Sequence, residues 1–174
     1  MKKLTNTALI YAIVAMLCGV IYREGSRFLE LTEPNTWSFT HTHFFVLGMF
    51  FFLIVLLLEK EFHITKDKKF KAFYIIYNIG LILTGIMLWI RGIADIVDDF
   101  YINYDKMISG ISGIGHILLG IGIILFFIIL AKKVKEEKRW QISSKQGPTC
   151  FFLHFMIKYA RIERDEYEYI WRIN

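Results

Sequence analysis

The chain has 174 residues, of which 55% are hydrophobic, 17% aromatic and 21% charged, and its formal net charge is +5. This composition excludes an ordinary water-soluble domain, because a chain of this length has too little interior to bury so much apolar surface. The positive residues lie beside apolar runs, so they indicate membrane topology and contact with anionic lipid, and they give no sign of nucleic-acid binding.

Four apolar runs are almost free of charged residues and lie at about 4–22, 38–58, 71–91 and 108–131. Each run approaches the roughly 20 residues that a helix needs to cross the hydrocarbon of a bilayer. The first run lacks the small-residue cleavage site of a signal peptide, so we interpret it as a retained helix. The pattern predicts an all-α fold, an integral membrane four-helix bundle formed by residues 1–140.

The charges between these runs alternate in sign along the chain. Acidic residues predominate in the first and third connections, whereas basic residues gather at the amino terminus, in the second connection and after the fourth run. The basic residues are Lys2, Lys3, Lys60, Lys66, Lys68, Lys69, Lys71, Lys132, Lys133, Lys135, Lys138 and Arg139. Since Lys and Arg accumulate on the cytoplasmic side, we predict a multi-pass protein of the bacterial plasma membrane with both termini in the cytoplasm.

Polar residues interrupt the pattern at a few places. Asn78 lies in the inner half of the third span, where we interpret it as a hydrogen-bonding contact to another helix, with Asn6 or Thr7 as its partner. The connection after the third span contains the acidic and aromatic residues 98–101. It is short enough to fold as a loop over the outer mouth of the bundle.

Residues 141–174 differ in character from the spans. Gly147 and Pro148 break any continuation of the fourth helix. Beyond them, apolar residues recur at helical spacing among basic ones, namely Phe152, Phe155, Met156, Tyr159 and Ile162. This apolar part is too short to cross a bilayer, so we predict a cytoplasmic tail that either forms an interfacial amphipathic helix or is disordered.

Three of the five histidines lie inside predicted spans, namely His41, His43 and His116. An imidazole is costly to place in hydrocarbon, so an ionisable residue within the membrane is a candidate for function. At about 1.5 Å of rise per residue, all three histidines lie in the outer half of the membrane, at depths that one ligand can bridge.

Helical geometry limits how the second span contributes. Residues two apart on a helix do not face each other, so His41 and His43 cannot both reach one ligand. His41 shares its face with Gly48, where the absence of a side chain would let a flat macrocycle approach the backbone. That pattern favours His41, although His43 lies deeper.

The fourth span places small residues around its histidine. Gly113 and Gly120 lie one turn on either side of His116, in a stripe that also contains Ser109, Ser112 and Ile123. This arrangement is typical of a helix face that accommodates a haem, because larger side chains would collide with the ring. The same stripe is also typical of close packing between membrane helices, with His116 as a hydrogen-bonding residue.

Arginines at the outer ends of the spans complete the haem hypothesis. Arg23 and Arg91 lie level with the histidines, and guanidinium groups bind carboxylates such as haem propionates in a bidentate manner. The alternative is ordinary surface pairing, of Arg91 with Asp95 and of Glu24 with Arg27. A bare copper or zinc ion held by His41, His43 and His116 is the other interpretation of the site.

Two functional hypotheses follow from these residues. The first is a haem b-binding or metal-binding redox or sensor protein, in which His116 and one of His41 and His43 are axial ligands. With both axial positions filled, such a haem suits electron transfer or sensing, with a redox partner or a homo-oligomer as the associated protein. The second is a non-catalytic membrane subunit or small-molecule carrier whose histidines are structural. The sequence contains no hydrolytic or nucleotide-binding motif, so catalysis is not expected.

Four segments carry a family resemblance: LIYAI…GVIYRE (9–24), HTHFFVLGMFFFLIVLLLEK (41–60), YNIGLILT (77–84) and GISGIGHILLGIGIIL (110–125). They resemble a family of small bacterial membrane proteins, domain of unknown function 2871, over about residues 4–135. The resemblance implies the four-helix fold and no particular activity, and its HTH and GH motifs coincide with His41, His43 and His116. A fainter similarity is to the histidine-bearing helix of haem–copper oxidase main subunits, where a histidine near the outer end of a span ligates haem.

Overall fold

The computed structural model describes residues 1–31, 35–96 and 98–145, and the side chains of these residues except 98–105 and 141–145. All regular structure in the described ranges is helical, so the all-α prediction is confirmed. The greater part of the predicted tail, from residue 146 onward, lies outside the described residues.

The helices are longer than the apolar runs that predict them. Helix α1 is Lys2–Phe28, α4 is Phe70–Ala94 and α5 is Asp98–Lys145. The second span, Thr36–Phe62, is composite. It contains a 3-10 turn (Thr36–Ser38), α2 (Phe39–His43), a π-helical segment (Phe44–Phe50) and α3 (Phe51–Phe62), and a 3-10 turn (Ile64–Lys66) follows it.

The prediction of a loop over the mouth of the bundle is wrong. Helix α4 continues to Ala94 and α5 begins at Asp98, so the backbone of residues 98–107 is helical. An apolar run marks only the part of a helix that suits hydrocarbon, and polar residues can continue the same helix beyond it.

Four helices are long and apolar enough to cross a membrane: Lys2–Phe28, Thr36–Phe62, Phe70–Ala94 and Lys106–Trp140. All four expose large aliphatic side chains, such as Leu9, Ile54, Ile86 and Ile117, each at least half exposed. Surfaces of this kind suit acyl chains and not water. The protein is therefore a multi-pass membrane protein.

Contacts between the spans define an up-down-up-down order. Thr7 hydrogen-bonds to Tyr74 and Tyr11 to Asn78, so α1 and α4 run in the same direction. Tyr11 lies against Gly48 and Gly25 against Trp37, so the second span is antiparallel to α1. Thr84 lies against Gly115 and Tyr77 against Gly122, so α5 is antiparallel to α4. We call the two ends of the bundle the Lys3 end and the Trp37 end, after a residue at each.

Aromatic rings fill the centre of the bundle. Phe51 stacks on Tyr77 with ring centroids 4.4 Å apart, and it meets Phe126 of α5 edge-on at 5.3 Å. Tyr11 stacks between Phe44 and Phe52, with both centroids at 5.9 Å. Dense ring contacts of this kind hold the four spans together by dispersion and quadrupole interactions.

The connection at the Lys3 end is fastened by a buried carboxylate. Glu59 is only 8% exposed, and its oxygens accept hydrogen bonds from the Thr65 amide at 2.7 Å and the Thr65 hydroxyl at 2.5 Å. His63 between them takes a left-handed conformation, with φ of 49°. The short turn from α3 into α4 is thus stabilised by the hydrogen bonds between Glu59 and Thr65.

Two compact units divide the chain, Met1–Leu130 and Ala131–Asn174. The first unit contains the aromatic core and all of the predicted site residues. Within the second unit, Lys133 forms an ion pair with Glu136 at 2.9 Å. The predicted boundary near residue 140 stays a prediction.

Candidate functional site

One face of α5 is packed against α4 through two glycines. A side chain at Gly115 would place its Cβ 2.7 Å from the Thr84 hydroxyl, and one at Gly122 would place it 2.9 Å from Cβ of Tyr77. Backbones can approach this closely only where the side chain is a hydrogen atom. This face of α5 is therefore the one that builds the bundle.

His116 and its neighbouring glycines lie on a different face. His116 is exposed, and its Nδ1 lies 2.9 Å from the carbonyl oxygen of Ser112 in the same helix. Apart from the nearby backbone of α5 itself, no atom of the described residues lies within 4 Å of the Cβ positions of Gly113 and Gly120. We call Gly113, His116 and Gly120 the His116 face.

The expectation that these residues face a ligand inside the bundle is therefore wrong. Residues 113 and 115 lie two apart, and so do 120 and 122, which places each pair on nearly opposite sides of a helix. The close packing of Gly115 and Gly122 on α4 turns Gly113, His116 and Gly120 outward. Ile123 of the same predicted stripe is half-buried and packs beside the core.

His41 faces helix α1. Its ring lies 3.8 Å from the Cβ position of Gly19, and its Nε2 is 3.4 Å from the Thr42 hydroxyl. Its Nδ1 is buried and has no hydrogen-bond partner among the described residues. A buried nitrogen of this kind costs free energy, yet the ring is directed to α1 and not to the exposed His116 face of α5.

His43 is half-buried and bonded within its own helix, with Nδ1 2.9 Å from the carbonyl oxygen of Phe39. Gly48 is buried, and the Tyr11 ring occupies the space that a macrocycle was expected to fill. The Cβ position of Gly48 is 2.6 Å from Cγ of Tyr11. Within one chain, the predicted haem pocket is thus replaced by protein packing.

The two predicted propionate ligands have protein partners. Arg23 is 76% exposed and lies 3.8 Å from Glu24, which also pairs with Arg27 at 3.9 Å. The predicted pairing of Glu24 with Arg27 is confirmed. Arg91 donates to the Ser109 hydroxyl of α5 at 3.2 Å, seven residues before His116.

No group of three histidine, cysteine or acidic side chains suited to a metal ion occurs among the described residues. The three predicted metal ligands, His41, His43 and His116, therefore do not form a cluster in the described part of the chain. Haem or metal binding stays a prediction, and the geometry expected for it within one chain is not the observed one.

A polar network in the half of the bundle near the Lys3 end joins α1 to α4. The Tyr11 hydroxyl donates to Oδ1 of Asn78 at 2.6 Å, and the Asn78 amide donates to the Tyr74 carbonyl at 2.6 Å. Thr7 meets the Tyr74 hydroxyl at 2.7 Å. Asn78 joins helices as expected, but its partner is Tyr11, because the phenol extends further across the interface than Asn6 or Thr7.

The π-helical segment Phe44–Phe50, which directly follows His43, was not predicted from the sequence. Such segments are rare and are frequently found at functional sites. Here the Tyr77 hydroxyl donates to the Leu47 carbonyl within it at 2.8 Å. The segment is therefore supported from α4 at the centre of the bundle.

Together, the fold and the site define a multi-pass helical membrane protein whose centre is filled by aromatic rings and which exposes His116 on the surface of α5. The chain belongs to the family described as protein of unknown function (DUF2871), whose model matches residues 1–133. No curated protein and no solved structure matches the chain. The fainter similarity to haem–copper oxidases has no counterpart among these findings.

Proposed function

We propose that the protein is a non-catalytic subunit of the bacterial plasma membrane that assembles with another membrane helix through the His116 face. The observation that carries this proposal is the exposure of His116 on a helix long and apolar enough to span the membrane. An imidazole that faces acyl chains is costly, and ionisable residues in spans almost always face protein or water-filled cavities.

The depth of His116 supports this reasoning. The contact between Arg91 and Ser109 marks the Trp37 end of the α4–α5 pair. His116 follows Ser109 by seven residues, which corresponds to about 10 Å along the helix axis. A lysine or arginine can extend to the interface from such a depth, but the short imidazole of His116 cannot.

The glycines on either side make the same face suitable for docking. Glycine lets two structures approach closely, and small residues are enriched where membrane helices associate. Among the described residues, none approaches the Cβ positions of Gly113 and Gly120 from another helix, whereas Gly115 and Gly122 already pack against α4 inside the bundle. An association through the His116 face would therefore leave the bundle intact.

The filled interior favours a subunit over a carrier. The rings of Tyr11, Phe44, Phe51, Phe52 and Tyr77 occupy the centre of the bundle in stacked and edge-on contacts. A carrier needs polar groups that line a path near the middle of the membrane. The central aromatic rings are instead packed against one another.

A photo-crosslinking experiment in native membranes tests the proposed assembly. A photoreactive amino acid replaces Gly120, and the matched control replaces Ile121, which is 42% exposed and lies about 100° further around the helix. We expect a protein adduct from position 120 and only lipid adducts from position 121. Equal adducts from the two positions, or no protein adduct from position 120, would contradict the proposal.

The orientation in the membrane is part of the same proposal. The basic connection that contains Lys69 supports a cytoplasmic Lys3 end, and the acidic connection that contains Glu30 supports an external Trp37 end. Single cysteines at these two exposed positions can be labelled in intact cells with a membrane-impermeant maleimide. We expect labelling of Glu30→Cys and not of Lys69→Cys, and the reverse pattern would overturn the orientation.

A further inference from the structure

We propose that the Trp37 end of the bundle contains a binding site, between α1 and the second span, for the carbonyl oxygen of a lipid-soluble molecule. The site is centred on Trp37 and His41, with Ser26 and Thr40 beside them. A carbonyl of this kind occurs in a quinone head group and in the ester linkage of a phospholipid. The site uses no residue of the His116 face, so it is independent of the proposed assembly.

Unpaired buried polar atoms concentrate at the Trp37 end. Near the Lys3 end, hydrogen bonds join Tyr11 to Asn78 and Glu59 to Thr65. At the Trp37 end, four buried polar atoms have no hydrogen-bond partner in the described part of the chain: Ser26 Oγ, Trp37 Nε1, Thr40 Oγ1 and His41 Nδ1. A polar atom that is buried without a partner costs free energy. These atoms therefore have unused capacity to bind a ligand.

The ring of His41 is held differently from those of the other described histidines. In His43, His63 and His116, Nδ1 lies between 2.9 and 3.2 Å from the carbonyl oxygen four residues earlier in the chain. Nδ1 of His41 has no such partner among the described residues, and the ring lies against Gly19 of α1. This nitrogen is therefore available for a bond at the interface between the two helices.

Trp37 lines the same interface. Its Cβ lies 2.5 Å from the Cβ position of Gly92 in α4, and its ring edge lies 3.2 Å from that of Gly25 in α1. Trp37 and His41 are four residues apart, so they are neighbours on one face of the second span. Both rings contact α1, one at Gly25 and the other at Gly19. The unpaired indole N–H and the unpaired imidazole nitrogen therefore belong to one site.

The donors determine the class of ligand. The indole N–H of Trp37 can only donate, and the hydroxyls of Ser26 and Thr40 can donate as well. When the Thr42 hydroxyl donates to Nε2 of His41 over 3.4 Å, Nδ1 carries the proton and is a further donor. A carbonyl oxygen has two lone pairs and can accept from two such groups. It also carries no net charge, which apolar surroundings would penalise.

The site can be reached from the side and is lined by aromatic rings. Gly19, Tyr22 and His41 are half-buried, so the interface is not closed to the acyl chains. The Cβ position of Gly19 meets only the His41 ring, at an ordinary contact distance of 3.8 Å. Trp37 meets Trp89 edge-on at 4.8 Å and Tyr22 at 6.4 Å. Apolar and aromatic walls with a few polar groups are typical of small-molecule sites.

The test follows the indole N–H signal of Trp37 by nuclear magnetic resonance. The full chain is placed in bicelles of an ether-linked phospholipid, which has no ester carbonyl. The chain has four tryptophans, so Trp37→Phe assigns the signal. Decylubiquinone or an ester-linked phospholipid is then added in separate titrations. We expect a saturable downfield shift of the Trp37 signal and no comparable shift of the Trp140 signal.

Variants of the histidines separate binding from unspecific partitioning into the bicelle. His41→Leu removes a hydrogen-bonding group, so it should weaken the binding at least about tenfold. His43→Leu is the matched control, because the His43 ring is bonded within its own helix. It should bind as the unaltered protein does. His41→Gln keeps a side-chain N–H and should restore much of the affinity, which distinguishes a lost ligand contact from a damaged fold.

The two titrations identify the source of the carbonyl. A shift with decylubiquinone assigns the site to a quinone head group, and a shift with the ester-linked phospholipid assigns it to a lipid ester. An unchanged Trp37 signal in both titrations, or equal weakening by His41→Leu and His43→Leu, would overturn the site. Neither outcome bears on photo-adducts from position 120, so the proposed assembly is tested separately.

Discussion

The Tyr77 hydroxyl donates a hydrogen bond to the Leu47 carbonyl across 2.8 Å, and thereby joins α4 to the π-helical segment of the second span. A π-helical turn forms its hydrogen bonds one residue further along the chain than an α-helical turn. Some carbonyls in such a segment therefore depend on partners elsewhere. Tyr77 is completely buried, so water cannot substitute for it.

We expect Tyr77→Phe to lower the free energy of unfolding by about 1–3 kcal/mol, since a buried acceptor is left without a partner. The measurement is reversible unfolding in mixed micelles, combined with hydrogen exchange of the amides of residues 44–50. Tyr22→Phe is the control, because Tyr22 is half-buried at the Trp37 end. Equal stability of the two variants would contradict the role of Tyr77.

A second prediction concerns the closest approach of α4 and α5. A Cβ at Gly80 would lie 2.7 Å from the backbone nitrogen of Leu119 and 3.1 Å from the carbonyl oxygen of Gly115. Backbone atoms cannot move aside as a flexible side chain can. We expect Gly80→Ala to destabilise the protein by about 1–3 kcal/mol or more. At Gly110, no described atom outside the nearby backbone of α5 lies within 4 Å of the Cβ position. Gly110→Ala should therefore change stability by less than about 0.5 kcal/mol in the same unfolding assay.

The third prediction concerns the hydrogen bond from the Tyr11 hydroxyl to Oδ1 of Asn78, which spans 2.6 Å. Hydrogen bonds between membrane helices contribute about 0.6 kcal/mol on average and up to about 1.7 kcal/mol. A double-mutant cycle with Tyr11→Phe and Asn78→Leu should therefore give a coupling energy in this range. Strictly additive effects of the two substitutions would show that this hydrogen bond contributes nothing.

The fourth prediction concerns the connection at the Lys3 end. Loss of the Glu59 carboxylate removes both hydrogen bonds to Thr65. The lysines that follow should then be exposed more often by local opening. We expect limited trypsin digestion between residues 66 and 71 to be several-fold faster in Glu59→Ala than in the unaltered protein. Glu61→Ala, at an exposed position, is the control and should be cleaved at the original rate.

The membrane fold could be predicted from the sequence because hydrocarbon imposes a simple rule. A helix needs about 20 apolar residues to cross it, and the four runs satisfy this condition in an unambiguous way. The helix ends were less predictable. Residues 98–107 are polar enough to resemble a loop, yet the backbone continues as a helix there because nothing in the local sequence breaks it.

The orientation of α5 could not be predicted from its glycines. Gly113 and Gly120 have the same seven-residue spacing as Gly115 and Gly122, so either pair could pack on a neighbouring helix. Which pair of glycines packs on α4 depends on Thr84 and Tyr77, which fit against Gly115 and Gly122. That complementarity involves residues far apart in the chain, and the periodicity of one helix contains no information about it.

The residue that fills the space beside Gly48 could not be predicted from the sequence either. An isolated glycine indicates a close approach but does not identify what approaches. Here it is the Tyr11 ring, held in place by its hydroxyl on Asn78. Burial of aromatic rings stabilises a helix bundle more directly than an empty pocket would, so a glycine beside a histidine is weak evidence for a bound macrocycle.

The shortness of the connections has a consequence for biosynthesis. Only seven residues separate Phe62 from Phe70, and only three separate Ala94 from Asp98. Each of these spans therefore meets its antiparallel neighbour as soon as both have left the ribosome, without a search over distant partners. Local contacts of this kind favour rapid folding. The bundle can thus be completed hairpin by hairpin, and the helix that carries His116 is the last of the four described spans to emerge.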